Sequence, residues 1–476
     1  MRRALALFIV ATMTMLAGCA TRPVNPPIAK FEPRPNQYQF QRAGGDPASE
    51  QNLVILAFSG GGTRAAAFSY GVLETLRRTV IEGPQGRRIR LLDQVDTITG
   101  VSGGSFTALA YGLYGEKLFD VYEAAFLKRN VQGELISRAF NPANWGAMSS
   151  VGRGRSELAA DLYDEILFHG ATFADLEKSN GPQINASATD IESGSRVVFN
   201  RINFDVLCAD LGPIRLSRAA AASSAVPVVL SPVTINNYGG SCGYVEPPWT
   251  KKFADNPDPP RPAARILQRL AELRAFEDGH EPYLHLVDGG VSDNVGLRGV
   301  LDLITTFESL HEAGLPTPLD RVKRIIVFVV NSLSTPATNW NEIEESPGTL
   351  SILIKATGVP IDRYSGESVE LLKDIAARWK TLREIRDSVA FVKDKDTAVS
   401  YVQNVPNAEL YTINVSFPAL KDKGEREYLN NLPTSFVLTD EEVDRLRGAA
   451  SKIILESPDF NRLLKDVGAR IVETRP

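Results

Sequence analysis

An unbroken apolar run, Leu53-Val54-Ile55-Leu56-Ala57-Phe58, passes straight into Ser59-Gly60-Gly61-Gly62. Side chains alternate between the two faces of a strand, so a run without a polar position leaves neither face for water. It calls for a strand covered on both sides, as in parallel sheets flanked by helices. Downstream, Thr63 to about Thr79 reads as a helix, Val95–Thr99 as a strand and Ser105 to about Tyr114 as a second helix. Further strand candidates are Gln183–Thr189, Arg196–Asn200, Tyr283–Val287 and Arg324–Val330. Strands alternating with helices indicate an α/β fold. Tyr244–Asp278, first Pro-rich and then charged and helical, reads as a surface excursion. Asp362–Ile385 and Thr439–Leu455 read as amphipathic helices, the second opened by a capping Thr-Asp-Glu-Glu, with a strand at Glu409–Val415 between them.

Composition narrows the function classes. With 43% hydrophobic and 23% charged residues among 476, the chain can build a large core and does not read as disordered. A net charge of -5 with dispersed Lys and Arg gives no footprint for nucleic acid. Four histidines and three cysteines, widely separated, do not form a metal-ligand cluster, so neither a metal nor another cofactor is expected.

The amino terminus carries its own instruction. Arg2 and Arg3 precede an apolar stretch, Ala4–Leu16, which ends in Ala17-Gly18-Cys19. This is the pattern of a secretory signal, too short for the ~20 residues of a membrane-spanning helix. Leu16-Ala17-Gly18-Cys19 also resembles the lipobox of bacterial lipoproteins. That resemblance implies removal of residues 1–18, lipidation of Cys19 and a membrane-anchored protein of the cell envelope. Ala20 and Thr21, with no Asp beside the cysteine, imply the outer membrane. The alternative is a simple secreted protein. Residues 19–52, with prolines at 23, 26, 27, 33, 35 and 47, are expected to form a tether. One domain is expected over 53–476, with a motif-bearing core at 53–332 and a C-terminal elaboration at 333–476. With Cys19 acylated, Cys208 and Cys242 remain as an even pair in an oxidising compartment, which suggests a disulfide; two buried thiols are the alternative.

Three motifs carry chemistry. Gly60, Gly61 and Gly62 leave backbone N–H groups unobstructed at the start of a helix, an arrangement that holds negative charge. The charge could be a phosphate, because Gly60, Gly62 and Ala65 match a dinucleotide-binding spacing, or an ester oxyanion. A dinucleotide site expects an acidic residue at the end of the second strand. That strand ends instead in Gly100-Val101-Ser102-Gly103-Gly104, the G-x-S-x-G pattern of a nucleophilic serine on a strand-to-helix turn. The third motif, Asp288-Gly289-Gly290, follows Leu284-His285-Leu286-Val287 and puts a carboxylate at a strand end. Serine needs a base, usually His. Of His169, His280, His285 and His311 only His311 follows Asp288, as the usual triad order demands, and it lacks strand-end context. Asp288, made more basic by a desolvated site, is the remaining candidate.

In order and spacing, Ser59–Arg64, Gly100–Gly104 and Asp288–Gly290 followed by Asp293-Asn294 resemble the glycine-rich loop, nucleophile elbow and D-G-G motif of patatin-like phospholipases. Arg218 with Ala222-Ser223-Ser224-Ala225-Val226-Pro227 resembles a further segment of that family, here with Ala219–Ala221 inserted. Asn431–Phe436 also looks familial. The resemblance implies a three-layer α/β/α fold with a mostly parallel central sheet, a Ser102 nucleophile, Asp288 as its base and an oxyanion hole from Gly60, Gly61 and Gly62. It also points to Arg64 as a candidate anion contact, against a salt bridge within the first helix. The implied activity is acyl-ester hydrolysis on lipid, of phospholipase A or lysophospholipase type. An acyltransferase using the same dyad and a non-catalytic envelope scaffold are the alternatives.

Overall fold

The computed structural model describes residues 22–33, 51–82, 88–148, 153–179, 181–257, 259, 262–278, 280–334, 340–342, 344–388 and 400–471. The signal segment and Cys19 lie outside these residues. Eleven strands are present among the described residues: β1 (Asn52–Phe58), β2 (Thr79–Glu82), β3 (Arg88–Arg90), β4 (Val95–Val101), β5 (Gln183–Asp190), β6 (Arg196–Phe199), β7 (Val233–Asn236), β8 (Tyr283–Asp288), β9 (Arg324–Asn331), β10 (Glu409–Ser416) and β11 (Arg470–Ile471). The helices that matter here are α1 (Gly62–Arg78), α2 (Gly103–Tyr114), α3 (Leu216–Ser223), α4 (Ala263–Glu277), α5 (Leu297–Glu312), α6 (Thr349–Arg386) and α7 (Asp440–Glu456).

An eight-stranded sheet runs in the order β10-β9-β1-β4-β5-β8-β7, with β6 also on β5. Strands β10, β9, β1, β4 and β5 run parallel to one another, whereas β6 and β8 pair antiparallel with β5, and β7 with β8. A small sheet, β11-β2-β3, stands apart. Strand β1 shows why its sequence has no polar position. Val54, Leu56 and Phe58 enter a core with α1, α2, α3 and α7. Leu53, Ile55 and Ala57 enter a second core with α5 and α6 on the opposite face. Strand β9 divides in the same way, with Ile326, Phe328 and Val330 on one side and Ile325, Val327 and Val329 on the other. Helices cover both faces of a mostly parallel sheet, which makes three layers.

The C-terminal third is woven into this architecture. Strand β10 extends the main sheet beside β9 over a full-length register, Glu409↔Arg324 to Ser416↔Asn331. Helix α7 lies against α1, where Gly71 permits backbone contact; a Cβ there would stand 2.6 Å from the Arg447 carbonyl oxygen. Residues 22–33, read from sequence as part of the tether, dock onto the domain. Pro27 bridges to Ala209, Asn25 bonds to Asn236, and Phe31 is buried with Cys208 and Cys242. The two cysteines are joined, their Cα atoms 5.5 Å apart. No helix among the described residues is long and apolar enough to cross a membrane.

Candidate active site

Strands β1 and β4 end side by side, Phe58 paired with Gly100, and each turns directly into a helix. At the second turn Ser102 has φ 47° and ψ -121°, a backbone conformation disfavoured for any residue with a side chain. Close packing imposes it. A Cβ on Gly100 would meet Ser105 Cα at 2.7 Å, and one on Gly104 would meet the Ser59 carbonyl oxygen at 2.6 Å, so the flanking positions of the G-x-S-x-G pattern tolerate no side chain. The Ser102 N–H donates to Ser223 Oγ (2.9 Å), whose own hydroxyl donates to the Ser187 carbonyl (2.7 Å). Thus α3 and β5 hold the bend.

The sequence reading expected Asp288 at the carboxyl edge of the sheet along with the other motifs. The residue is there, but its strand arrives from the opposite direction. Strand β5 outruns β4, and β8 descends antiparallel along the overhang until Asp288 pairs with Ala188, one step beyond the Val101↔Ser187 pair. The aspartate therefore comes level with Ser102. Ser102 Oγ donates to Asp288 Oδ2 at 2.8 Å, and the Gly290 N–H donates to Oδ1 at 2.7 Å. The Asp288 and Gly289 N–H groups donate to the Ala225 and Ser223 carbonyls, which gives the Ala222–Pro227 motif its place. Both dyad residues are buried, at 5% and 8% exposure, and burial pushes the Asp288 carboxyl up to about 6 against the two hydrogen bonds it accepts. Among the described residues no histidine bonds to either one: His285 pairs with Thr234 and His311 with Asp320.

Two expectations about the glycine-rich loop are corrected. The Gly60 N–H donates to the Asn294 carbonyl at 2.8 Å, so Gly60 is not a free donor for an oxyanion. Its contribution is space: an added Cβ would lie 2.5 Å from Asn294 Oδ1 and 3.3 Å from Ser102 Cβ. Gly61 and Gly62, with φ 135° and 59°, adopt conformations that only glycine takes without strain. Among the described residues no acceptor meets their N–H groups. They open α1, and Ser102 opens α2, so two helix N-termini face the dyad. Arg64, the second correction, is buried and donates to the Ser332 carbonyl (2.8 Å), the Leu432 carbonyl (2.8 Å) and Thr434 Oγ1 (3.1 Å). Together with the bond from Thr63 N–H to the Ser435 carbonyl, it clasps the loop to the Asn431–Phe436 segment.

Arg218 also sits away from the dyad, paired with buried Glu157 at 3.0 Å and bonded to the Thr234 carbonyl of β7. Asp293 caps α5 through the N–H groups of Leu297 and Arg298. The residues that sequence reasoning missed are Ser223, Asn294 and Ser187. Ser223 and Asn294 lay within motifs, Ser187 did not, and nothing local assigned any of them a partner.

A strained serine bonded to a buried carboxylate, beneath two helix N-termini on a mostly parallel sheet, defines an α/β fold with the groups for acyl transfer. The family model of patatin-like phospholipases matches residues 56–301, and the chain belongs to that family. Among solved structures it is similar to human GIVD cytosolic phospholipase A2 in complex with methyl gamma-linolenyl fluorophosphonate (13% identity, TM-score 0.40, covering 88% of this chain and 59% of that one). The same human protein without that inhibitor matches at 14% identity and TM-score 0.39, covering 88% and 60%. The chain thus spans about three-fifths of the length of these structures. No curated protein matches it.

Proposed function

We propose that this protein is a lipid acyl hydrolase of phospholipase A or lysophospholipase type, working through Ser102 and Asp288. What supports the reading is the hydrogen bond from Ser102 Oγ to Asp288 Oδ2, 2.8 Å, at a bend whose strain the surrounding glycines accommodate. Ser102 Oγ attacks the ester carbonyl carbon as its proton passes to Asp288 Oδ2, and the carbonyl π pair becomes an oxyanion facing the N–H groups of Gly61 and Gly62. Collapse breaks the bond to the alcohol, which leaves with the proton from Asp288. Water then attacks the acyl-serine, giving its proton to Asp288. The second collapse releases the acid and returns that proton to Ser102 Oγ.

In the same reading the substrate is a lipid ester met at a bilayer, with Cys19 lipidated and the protein held at the outer membrane, where anchoring raises its local concentration. The test of the chemistry is hydrolysis of a short-chain p-nitrophenyl ester by the purified protein and by Ser102→Ala. Loss of the nucleophile is expected to lower turnover by about three or more orders of magnitude. Equal rates would remove the dyad from the mechanism.

A further inference from the structure

A cavity of about 220 Å³ lies between the sheet and helices α4 and α5, and neither Ser102, Asp288 nor the glycine-rich loop lines it. Thr97 and Thr99 of β4, Asn185 of β5 and Val198 of β6 form its sheet side; α4 and α5 close it opposite, with Trp249 nearby. Its walls are largely apolar, including Ile55, Val198, Ile266, Leu270, Val300 and Phe307. Such a void forfeits the dispersion contacts that packing would supply, and voids with apolar walls take up apolar ligands in preference to water. Larger than an apolar cavity of about 150 Å³ that takes up benzene, it suits a single alkyl chain and is too small for a two-chain lipid.

The lining also carries one polar seam. Asn185 donates to Thr97 Oγ1 (3.0 Å), Asn200 donates to Asn185 Oδ1 (3.0 Å), Asn203 donates to Asn200 Oδ1 (3.0 Å), and Arg269 donates to Asn203 Oδ1 (2.7 Å). The seam ends among charges. Arg196 and Arg265 share Asp302, and Arg269 reaches Glu272. Three guanidinium groups face two carboxylates, leaving one positive charge in excess, and adding the neighbouring Asp293 and Arg298 keeps that balance. Burial first, and then Arg196, push the Arg269 guanidinium below its ordinary value, with Glu272 and Asp302 acting in the opposite direction.

We propose that this cavity binds a single-chain carboxylate amphiphile, an unesterified fatty acid, with the chain among the apolar walls and the carboxylate at Arg269 and Arg196. A monoanion matches the single excess charge, whereas a phosphate dianion would overshoot it. The site is separate from the proposed catalytic centre. An acid has no ester bond to cleave, so its binding is measured whether or not Ser102 catalyses.

The experiment is calorimetric titration of the full chain, stripped of lipid, with dodecanoate and with dodecanol. Dodecanoate is expected to bind one molecule per chain and to raise the melting temperature, and Ser102→Ala to bind it as the wild type does. Arg269→Met should weaken dodecanoate by about tenfold or more, the worth of a hydrogen bond to a charged group, while dodecanol is little affected. Leu303→Trp, which fills the cavity from α5, should abolish binding. Should that variant misfold, 12-bromododecanoate reports on location instead: it should quench tryptophan fluorescence, and Trp249→Phe should remove the quenching. Absence of binding, binding that survives Leu303→Trp in a folded protein, quenching that survives Trp249→Phe, or equal affinity for acid and alcohol would each overturn the proposal.

Discussion

Ser102 and Asp288 are held by each other, the Ser223 hydroxyl and a few backbone groups, and the burial of the carboxyl has thermodynamic consequences. Among the described residues no cation bonds to Asp288, whose carboxyl burial raises from 3.8 to about 6. In the proposed reaction the carboxylate must be ionised, so turnover is expected to climb as pH rises through about 6 and then level off, which a pH–rate profile checks. Folding responds in the opposite sense. The native state holds this proton more tightly than the unfolded chain does, so stability falls as pH rises from the ordinary aspartate range to about 6. Above that the whole penalty remains, on the order of 3 kcal/mol. Asp288→Asn carries no charge; its amide oxygen can still accept from the Gly290 N–H, while its NH2 can donate to Ser102 Oγ in place of the bond that Asp288 accepts. We expect it to be more stable than wild type at pH 8 by about 1–3 kcal/mol, with no gain at pH 4, and to be nearly inactive. Urea unfolding at the two pH values distinguishes this from a merely disruptive substitution. That Ser102 and Asp288 would meet could be read from sequence because each sits in a short motif at a strand end. Arg64 could not, because the Leu432 carbonyl it grips lies 368 residues along the chain and no local pattern encodes the pairing.

At the scale of elements, periodicity located the long pieces. The continuous apolar strands, the two motif-bearing helices and α7 fall where the sequence puts them, since burial on one or two faces leaves a direct imprint on residue type. What escaped were β7, of four residues, the small sheet β11-β2-β3, and the direction of β8. A strand's apolar pattern is the same read up or down a sheet, so its neighbour's overhang decides the matter. Helix pairing makes a sharper prediction. Gly71→Val should drive α7 away from α1 and cost about 1–3 kcal/mol, because the atoms in its path are backbone. Gly448→Ala, on α7 with open space around it, should be neutral or stabilising by about 0.5–1 kcal/mol. Denaturation midpoints of the two variants test the contrast.

At the scale of the whole molecule, the docked segment at residues 22–33 shortens the distance between the domain and any anchor. If Cys19 is lipidated, only three peptide steps separate it from Arg22, which bonds the Thr234 carbonyl at 3.2 Å and stacks over Tyr283. Those steps reach about 10 Å at most, so the β7 edge would be held close to the bilayer. Cys19→Ser should lose metabolic palmitate label and leave the membrane fraction; label retained in that variant would place acylation elsewhere. The link between Cys208 and Cys242 closes a loop of 34 residues beneath the docked segment. Chain entropy assigns such a loop about 4 kcal/mol, so Cys208→Ser with Cys242→Ser should lower the melting temperature substantially. Thiol labelling of the denatured, unreduced wild type should modify neither cysteine.

Residue order alone determined the class of fold, the positions of the principal strands and helices, and the identities of the serine and the aspartate, because each rests on contacts between near neighbours in the chain or on burial that selects residue type. Only the folded molecule decided that Gly60 clears space while Gly61 and Gly62 keep their N–H groups open, that Arg64 fastens the loop, and that part of the expected tether lies on the domain. Those outcomes depend on which distant backbone groups meet, and hydrogen-bond partners hundreds of residues apart leave no periodic trace in a sequence.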